Sequence, residues 1–537
     1  MSIITEVLRG LGVTRIAGRE QALMTSDKEL LYVAGRNVMW HNTVRDRVRV
    51  LPQTPKVQGI LAIAVCPKRR YVAICEQQDS SHGSSALPQV SIIDLISGAG
   101  PKRLRTLVAT EDTHLALSTV TNPDGTKPPL PNFTCCDFSK DSKSLLCLVG
   151  APYNGLVVFD WFRSRKVGTC TINATVTRCR FNPSDSSQVS TSGPQHLRVW
   201  KVQEGMLKGY PTIQGVGSTG ASITDHAWTQ DDRLAVTTDH GEVSFYDEGD
   251  LSQTMTSLSL GMETHDGLTC IESIDDRGFV AGGPHGSLCV IELTDSKDRL
   301  EGRDPFKVTC HVHANKESGT PSSIVSVSTS PKCDVLIISF PDNVGMLNMS
   351  DVWLKAEQGP GRGGGSGERG DDDEVRNGGE DEEEDEEERG SGSGSGSGRE
   401  VVEQRAGTED ASGGATAKRV ECALNYLVKG FHTGSVTSMS SCARKPLLIT
   451  CSKEDKSIRL WNYRKHVCVD ALTFENDAQR EFCFWIALIV LIACDIFLCC
   501  YATCVSSLAS FLSLILFLLL FSFFQSFLIF FLCFFSL

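Results

Sequence analysis

The sequence predicts an all-β chain whose residues 1–355 close into a seven-bladed β-propeller, and three observations carry that expectation. Short apolar segments alternate with period two, and turn residues cut them every eight to twelve positions, as in half-buried antiparallel strands. The same strand–turn–strand–turn–strand unit returns at about 40 to 50 residues, the mark of a radial or stacked repeat. With a weak first unit the count is seven, and seven four-stranded blades close a ring without leaving a long unpaired edge.

The units follow one another in order. The weak first one lies around LLYVAGRNVMWHN (30–42). LAIAVCPKRRYVAICEQ (61–77) with QVSIIDLIS (89–97) makes the second, and FTCCDFSKDSKSLLCLVG (133–150) with GLVVFDWF (155–162) the third. VTRCRFNPSDSSQVSTSG (176–193) with HLRVWKV (196–202) makes the fourth. Residues 223–249, 268–293 and 324–349 each hold three strands in one piece.

Charge divides the chain. Nineteen acidic and seven basic side chains between Ala356 and Lys418 account for −12 of the net charge of −13. The rest is close to neutral, which argues against a nucleic-acid-binding face, since that needs clustered positive charge. Residues 356–418 read as an acidic, Gly/Ser-rich disordered linker, because almost nothing in them is apolar enough to offset the entropy of ordering. Gly359, Gly361 and Gly364 satisfy G-x-G-x-x-G in form, yet no strand precedes them and no helix follows, so the phosphate-loop reading fails. The acidic run Glu380 to Glu388 suits a solvated linker or a contact with basic partners.

Twenty-one cysteines are scattered without paired spacing, and many (Cys66, Cys75, Cys147, Cys289) fall in apolar strands where a free thiol behaves as a small hydrophobe. With no charged n-region and apolar h-region at the start, a reducing, cytosolic compartment is expected.

After the linker, residues 419–483 read as the first blade of a truncated second propeller. His432 stands 29 residues before Trp461, and Asp455 six before it. In such a blade an aspartate in the tight turn fixes a histidine from the preceding loop. The histidine bonds a hydroxyl, here Thr450 or Ser452, and the hydroxyl reaches the indole N–H of Trp461. Buried polar atoms must be paired, so these residue types belong together, and their role is structural. A lone blade lacks stacking partners, so it is expected either to dock on the first propeller or to be less ordered than residues 20–350.

The combination of FHTGSVTS (431–438), RKPLLITCS (444–452) and DKSIRLWNY (455–463) resembles the first blade of the second propeller in a WD-repeat family, cilia- and flagella-associated protein fifty-seven, also called WD-repeat protein sixty-five. QGILAIAVCPKRRYVAICE (58–76) and HAWTQDDRLAVTTDHGEVSFYDEGD (226–250) are similar to its first propeller, in the same order. The resemblance implies WD40-type propellers and a non-enzymatic axonemal scaffold with inner dynein arm partners in motile cilia. The family's coiled coil does not carry over, because no heptad segment follows the first blade of the second propeller.

From Phe484 to Leu537 the only charged residue is Asp495. About 20 apolar residues suffice to cross a bilayer as a helix, so 484–504 and 508–533 are expected as transmembrane helices, making a membrane-anchored adaptor the alternative function. The Phe, Leu, Ser and Cys composition also fits a reading frame run into an unspliced intron, and the flanks lack the Lys/Arg bias that positions spans. A nuclear scaffold using the acidic linker is a further alternative.

No catalytic constellation is present: no Gly-Lys dipeptide, H-E-x-x-H or G-x-S-x-G occurs. Cys310, His311 and His313 sit in CHVH, which reads as an ordinary strand because no third and fourth ligand is evident. No cofactor and no metal are expected.

Overall fold

A computed structural model of the chain describes Ile16 and most of residues 20–473; the longer stretches outside the description are 79–86, 110–130, 214–219, 295–303, 316–322 and 359–417, together with residues 1–15 and 474–537. Residues 359–417 of the expected disordered linker and the apolar segment 484–537 therefore lie outside the described residues, whereas the linker's expected first residues, 356–358, end a helix and its last, Lys418, opens a strand.

Seven blades form a ring. Blades 1 to 6 span residues 22–50, 57–108, 133–171, 178–209, 223–255 and 270–315. Their innermost strands, with Ser326–Thr329 of blade 7, each lie against the next, and the seventh lies against the first. Inside each blade the strands are antiparallel neighbours in sequence, so the period-two pattern puts alternate residues on the two faces. Both faces are covered by adjacent blades, which is why the second and third strands read as apolar runs such as Ser144–Val149 (SLLCLV) and Gly155–Asp160 (GLVVFD). The outermost strands of blades 3 and 4 also pair, in parallel at Gly168↔Gly205 and Thr169↔Met206, joining the two blades into one eight-stranded sheet.

Blade 7 is closed from a distance. Its first three strands, Ser326–Thr329, Val335–Ser339 and Val344–Asn348, run into the helix Met349–Gln358 and then into the acidic stretch. The chain returns as Lys418–Ala423, which adds a fifth strand to blade 6 in parallel register from Cys310↔Lys418 to Asn315↔Ala423. Asn425–Val428 then supplies the fourth strand of blade 7, pairing with Val344–Asn348 at Gly345↔Tyr426 and Val344↔Val428. Residues 418–428, read from sequence as linker and second propeller, thus pair with blades 6 and 7. The physical reason is the open backbone edge that a three-stranded blade 7 would leave.

Each of the seven interblade layers has its own apolar core. The layer between blades 6 and 7 includes the helix through Val352 and Ala356, and the return segment through Cys422 and Leu424. The layer between blades 7 and 1 takes in Trp461, with Leu448 and Cys468 beside it. The terminal sheet, Val436–Ser441, Leu447–Ser452, Ser457–Asn462 and Val467–Thr473, is therefore packed on the first propeller, while its last strand is mostly exposed. Among the described residues the smallest core is that between blades 4 and 5, where Leu197, Ile223, Trp228, Leu234, Val236 and Tyr246 are buried, six against nine to eighteen elsewhere.

Among the described residues no cysteine forms a disulfide, and no helix is long and apolar enough to cross a membrane.

Candidate functional site

The polar quartet of the terminal sheet takes Thr450 and Trp461 from two adjacent strands, Asp455 from the turn between them and His432 from the chain before the sheet. Trp461 Nε1 donates to Thr450 Oγ1 at 2.7 Å, and that hydroxyl lies 2.7 Å from His432 Nε2. His432 Nδ1 lies 3.1 Å from Asp455 Oδ2 and 2.8 Å from Ser457 Oγ. One proton arrangement satisfies the whole row: indole N–H to Thr450, Thr450 O–H to His432 Nε2, and His432 Nδ1–H to Asp455. Asp455 Oδ1 also accepts the N–H of Ser457 at 3.1 Å and its hydroxyl at 2.8 Å, which ties the tight turn around left-handed Lys456. Of the two hydroxyls left open by the sequence, Thr450 makes the bridge. Ser452 does not reach the histidine; its Oγ meets the Asp455 N–H at 3.5 Å. Ser457, 2% exposed, is a member that sequence reasoning missed.

Two further networks of this kind lie in the first propeller. In blade 4, Trp200 Nε1 donates to Thr191 Oγ1 at 2.9 Å, and Thr191 meets His196 Nε2 at 2.9 Å. Thr191 and Trp200 occupy second and third strands, as Thr450 and Trp461 do, but the histidine comes from the hairpin between them. The other network crosses from blade 5 to blade 4. Trp228 Nε1 donates to Ser190 Oγ at 2.7 Å, Ser190 meets His226 Nε2 at 2.8 Å, and His226 Nδ1 meets Ser192 Oγ at 2.6 Å. Burial, with Arg180 beside it, pushes the His226 imidazole down to about 3, so it is neutral at pH 7.

Beside this network the inner strands carry a buried charge cluster. Arg178 Nε bonds Asp225 Oδ1 at 2.9 Å, with both side chains almost fully buried, and its other arm pairs with Glu20. Arg180 Nη1 bonds Glu272 at 2.9 Å. Burial disfavours the Arg178 charge, but Asp225 and Glu20 outweigh it and hold the guanidinium well above its ordinary range. Burial pushes Asp137, whose Oδ2 accepts the Phe181 N–H at 2.7 Å, up to about 6. A central cavity of about 300 Å³ opens among Glu20, Arg69, Asp137, Arg180, Glu272 and Asp275. Charges of both signs are paired across blades 4, 5 and 6, an arrangement that fixes blade register rather than one that presents a nucleophile and a base. The alternation of Arg178 and Arg180 on one face of an otherwise apolar strand is the signal that would have found it.

Cys310 and His311 lie in the fourth strand of blade 6, Phe306–Asn315, with His311 Nδ1 3.5 Å from Cys289 Sγ. Among the described residues no group of His, Cys, Asp or Glu is placed to hold a metal ion.

A Trp–hydroxyl–His–Asp row on a four-stranded blade, beside a closed ring of such blades, defines a WD-repeat propeller chain. The WD domain, G-beta repeat family matches residues 427–462. Over 478 residues, 81% of this chain and 31% of the relative, the sequence is 23% identical to cilia- and flagella-associated protein 57 of Mus musculus. Over 290 residues, 53% of this chain and 14% of the relative, it is 24% identical to cilia- and flagella-associated protein 44 of Mus musculus. A shorter match of 47 residues, 9% of this chain and 4% of the relative, is 43% identical to cilia- and flagella-associated protein 57 C of Tetrahymena thermophila. A chain of a solved structure, the crystal structure of the mitotic checkpoint complex, superposes with a TM-score of 0.43 and 12% identity, covering 63% of this chain and 92% of that one. The sequence likeness supports a WD-repeat family of the cilia- and flagella-associated protein 57 type. The chain spans less than a third of the length of that mouse relative, at 31%.

Proposed function

We propose that the chain is a non-enzymatic WD-repeat scaffold of the ciliary or flagellar axoneme, binding axonemal proteins, inner dynein arm components among them. The single observation that carries this reading is the likeness to cilia- and flagella-associated protein 57 across 81% of the chain. Its physical support is the state of the polar groups: the buried hydroxyls, imidazoles and carboxylates described above are spent on one another, holding blades in register. A rigid ring so held offers loops and grooves to partners, which is how propellers serve many functions on one fold.

The test is an immunoblot of the N-terminally tagged chain in ciliated cells, after separating cilia into detergent-soluble and axonemal fractions. The scaffold reading predicts the band in the axonemal fraction, released together with inner dynein arms by salt. A band wholly in the detergent-soluble fraction contradicts it and moves the function to a membrane.

A further inference from the structure

We propose that the cavity between blades 4 and 5 binds a lysine or arginine side chain presented by a basic segment of a partner protein. Among the described residues the layer between these blades has the fewest buried apolar side chains of the seven, and its inner end is filled by the Trp228–Ser190–His226 network. Outside that network a cavity of about 530 Å³ opens, within the size range of ligand pockets. Its wall is the segment Tyr210 to Ile213, held along blade 4 by Tyr210 N–H to Val199 O at 2.9 Å and Ile213 N–H to Leu197 O at 3.0 Å. Arg198 Nε fixes the same wall by donating to Tyr210 O at 2.6 Å.

The lining has the chemistry of a cation site. Tyr210, Trp228 and Tyr246 contribute aromatic surface, while Asp232, Glu248 and Asp250 contribute carboxylates. No lysine or arginine is among the described residues that line the cavity, and Glu248 and Asp250 form no ion pair with a described residue. Trp228 spends its N–H on Ser190, so what it has left to offer is apolar and π surface. Tyr246, 2% exposed, has a hydroxyl with no well-formed hydrogen bond among the described residues, although the Ser244 side chain acts on it, and a folded protein rarely leaves such a group unused. A cation beside aromatic faces gains from the ring quadrupole and more when it is desolvated. The stem of lysine or arginine matches the apolar floor of Leu234 and Ile213, and its head matches the acidic rim.

This deepens the scaffold reading by naming the partner's chemistry, and it rests on that reading only in that the occupant is a protein segment. The test uses purified full-length chain and peptides, so its failure and the failure of axonemal fractionation are separate results. Fluorescein-labelled Gly-Ser-Ala-Arg-Ala-Ser-Gly is titrated by anisotropy, alongside the same peptide with lysine, norleucine or glutamate at its centre. The arginine or the lysine peptide is expected to bind at least ~10-fold more tightly than the norleucine peptide, with an advantage that shrinks as salt rises. Glu248→Gln with Asp250→Asn changes two exposed side chains and is expected to abolish that advantage, while Tyr246→Phe weakens binding a few-fold. Thermal unfolding of each variant keeps loss of fold apart from loss of site. Equal binding of the norleucine peptide, undiminished binding by the double variant, or no binding of either basic peptide overturns the proposal.

Discussion

Trp461 gives its indole N–H to Thr450 at 2.7 Å, and the hydroxyl that receives it is also the one that meets His432. One side chain therefore serves two buried partners on different parts of the blade. Thr450→Val keeps the shape and removes both bonds, stranding an indole N–H and an imidazole nitrogen. Each stranded group costs roughly 1–3 kcal/mol, so the terminal blade is expected to lose about 2–6 kcal/mol while Thr450→Ser loses little. Hydrogen exchange of residues 457–462 reads this directly, and equal protection in the valine and serine variants contradicts it.

Arg178 stands between Asp225 and Glu20 with almost no access to water. Removing Arg178 takes the nearest cation from buried Asp225 and leaves Arg180, 3.8 Å away, as its remaining one, so Arg178→Met is expected to cost about 3 kcal/mol in urea unfolding. Adding Asp225→Asn to that variant is expected to recover part of the loss, because the buried carboxylate that lost its 2.9 Å partner is then gone. A double variant less stable than the single one refutes this account of the cluster.

Asp137 has the opposite burden. Burial raises its folded pKa to about 6 from an ordinary 3.8, so the folded state favours the neutral acid. Between those values the folded chain holds a proton that the unfolded chain has released, and stability falls as pH rises through the window. Asp137→Asn keeps an acceptor for the Phe181 N–H without the charge. It is expected to be more stable than the parent above pH 6, by at most about 3 kcal/mol, with the gain vanishing toward pH 4. Urea midpoints at the two ends of the range supply the check.

His226 titrates with the other sign. Its folded pKa is depressed to about 3 from an ordinary 6.5, so protons prefer the unfolded chain and stability is lost as pH falls from 6.5 toward 3. His226→Asn is expected to lower stability at pH 7, by removing bonds to Ser190 and Ser192, and to flatten this acid limb. A variant with the parent's slope across that window contradicts the assignment.

Blade 7 makes a length-dependent prediction. A chain ending at Gln358 lacks the Asn425–Val428 strand and leaves the edge of Val344–Asn348 open. It is expected to melt lower and to aggregate more readily than a chain ending at Val428, because an unpaired edge templates pairing with other copies. Light scattering during a thermal ramp compares the two.

How much of this was legible depends on where the partners sit. The terminal quartet could be read because its turn aspartate, hydroxyl strand and tryptophan strand are contiguous, with only His432 set apart. The choice of Thr450 over Ser452 could not, since alternate positions on one strand share a face and only the register Thr450↔Arg459 fixes their depth. The blade 5 to blade 4 network stayed hidden because His226 and Trp228 bond Ser190, which lies in the preceding blade rather than their own. The closing strand of blade 7 was illegible for a different reason. NYLV (425–428) is a short alternating run like many others, and the acidic stretch separates it from the edge it completes, so nothing local marks its partner.

The account's central claim is that the chain returns after its acidic stretch to close the seven-bladed ring. Hydrogen exchange with mass spectrometry on the full chain tests it most directly. Amides of Asn425–Val428 and their partners in Val344–Asn348 are predicted to be protected together, and to lose protection together when Tyr426, opposite Gly345, is replaced by proline. Exchange of 425–428 at the rate of an unstructured peptide, with Val344–Asn348 protected regardless, would contradict it.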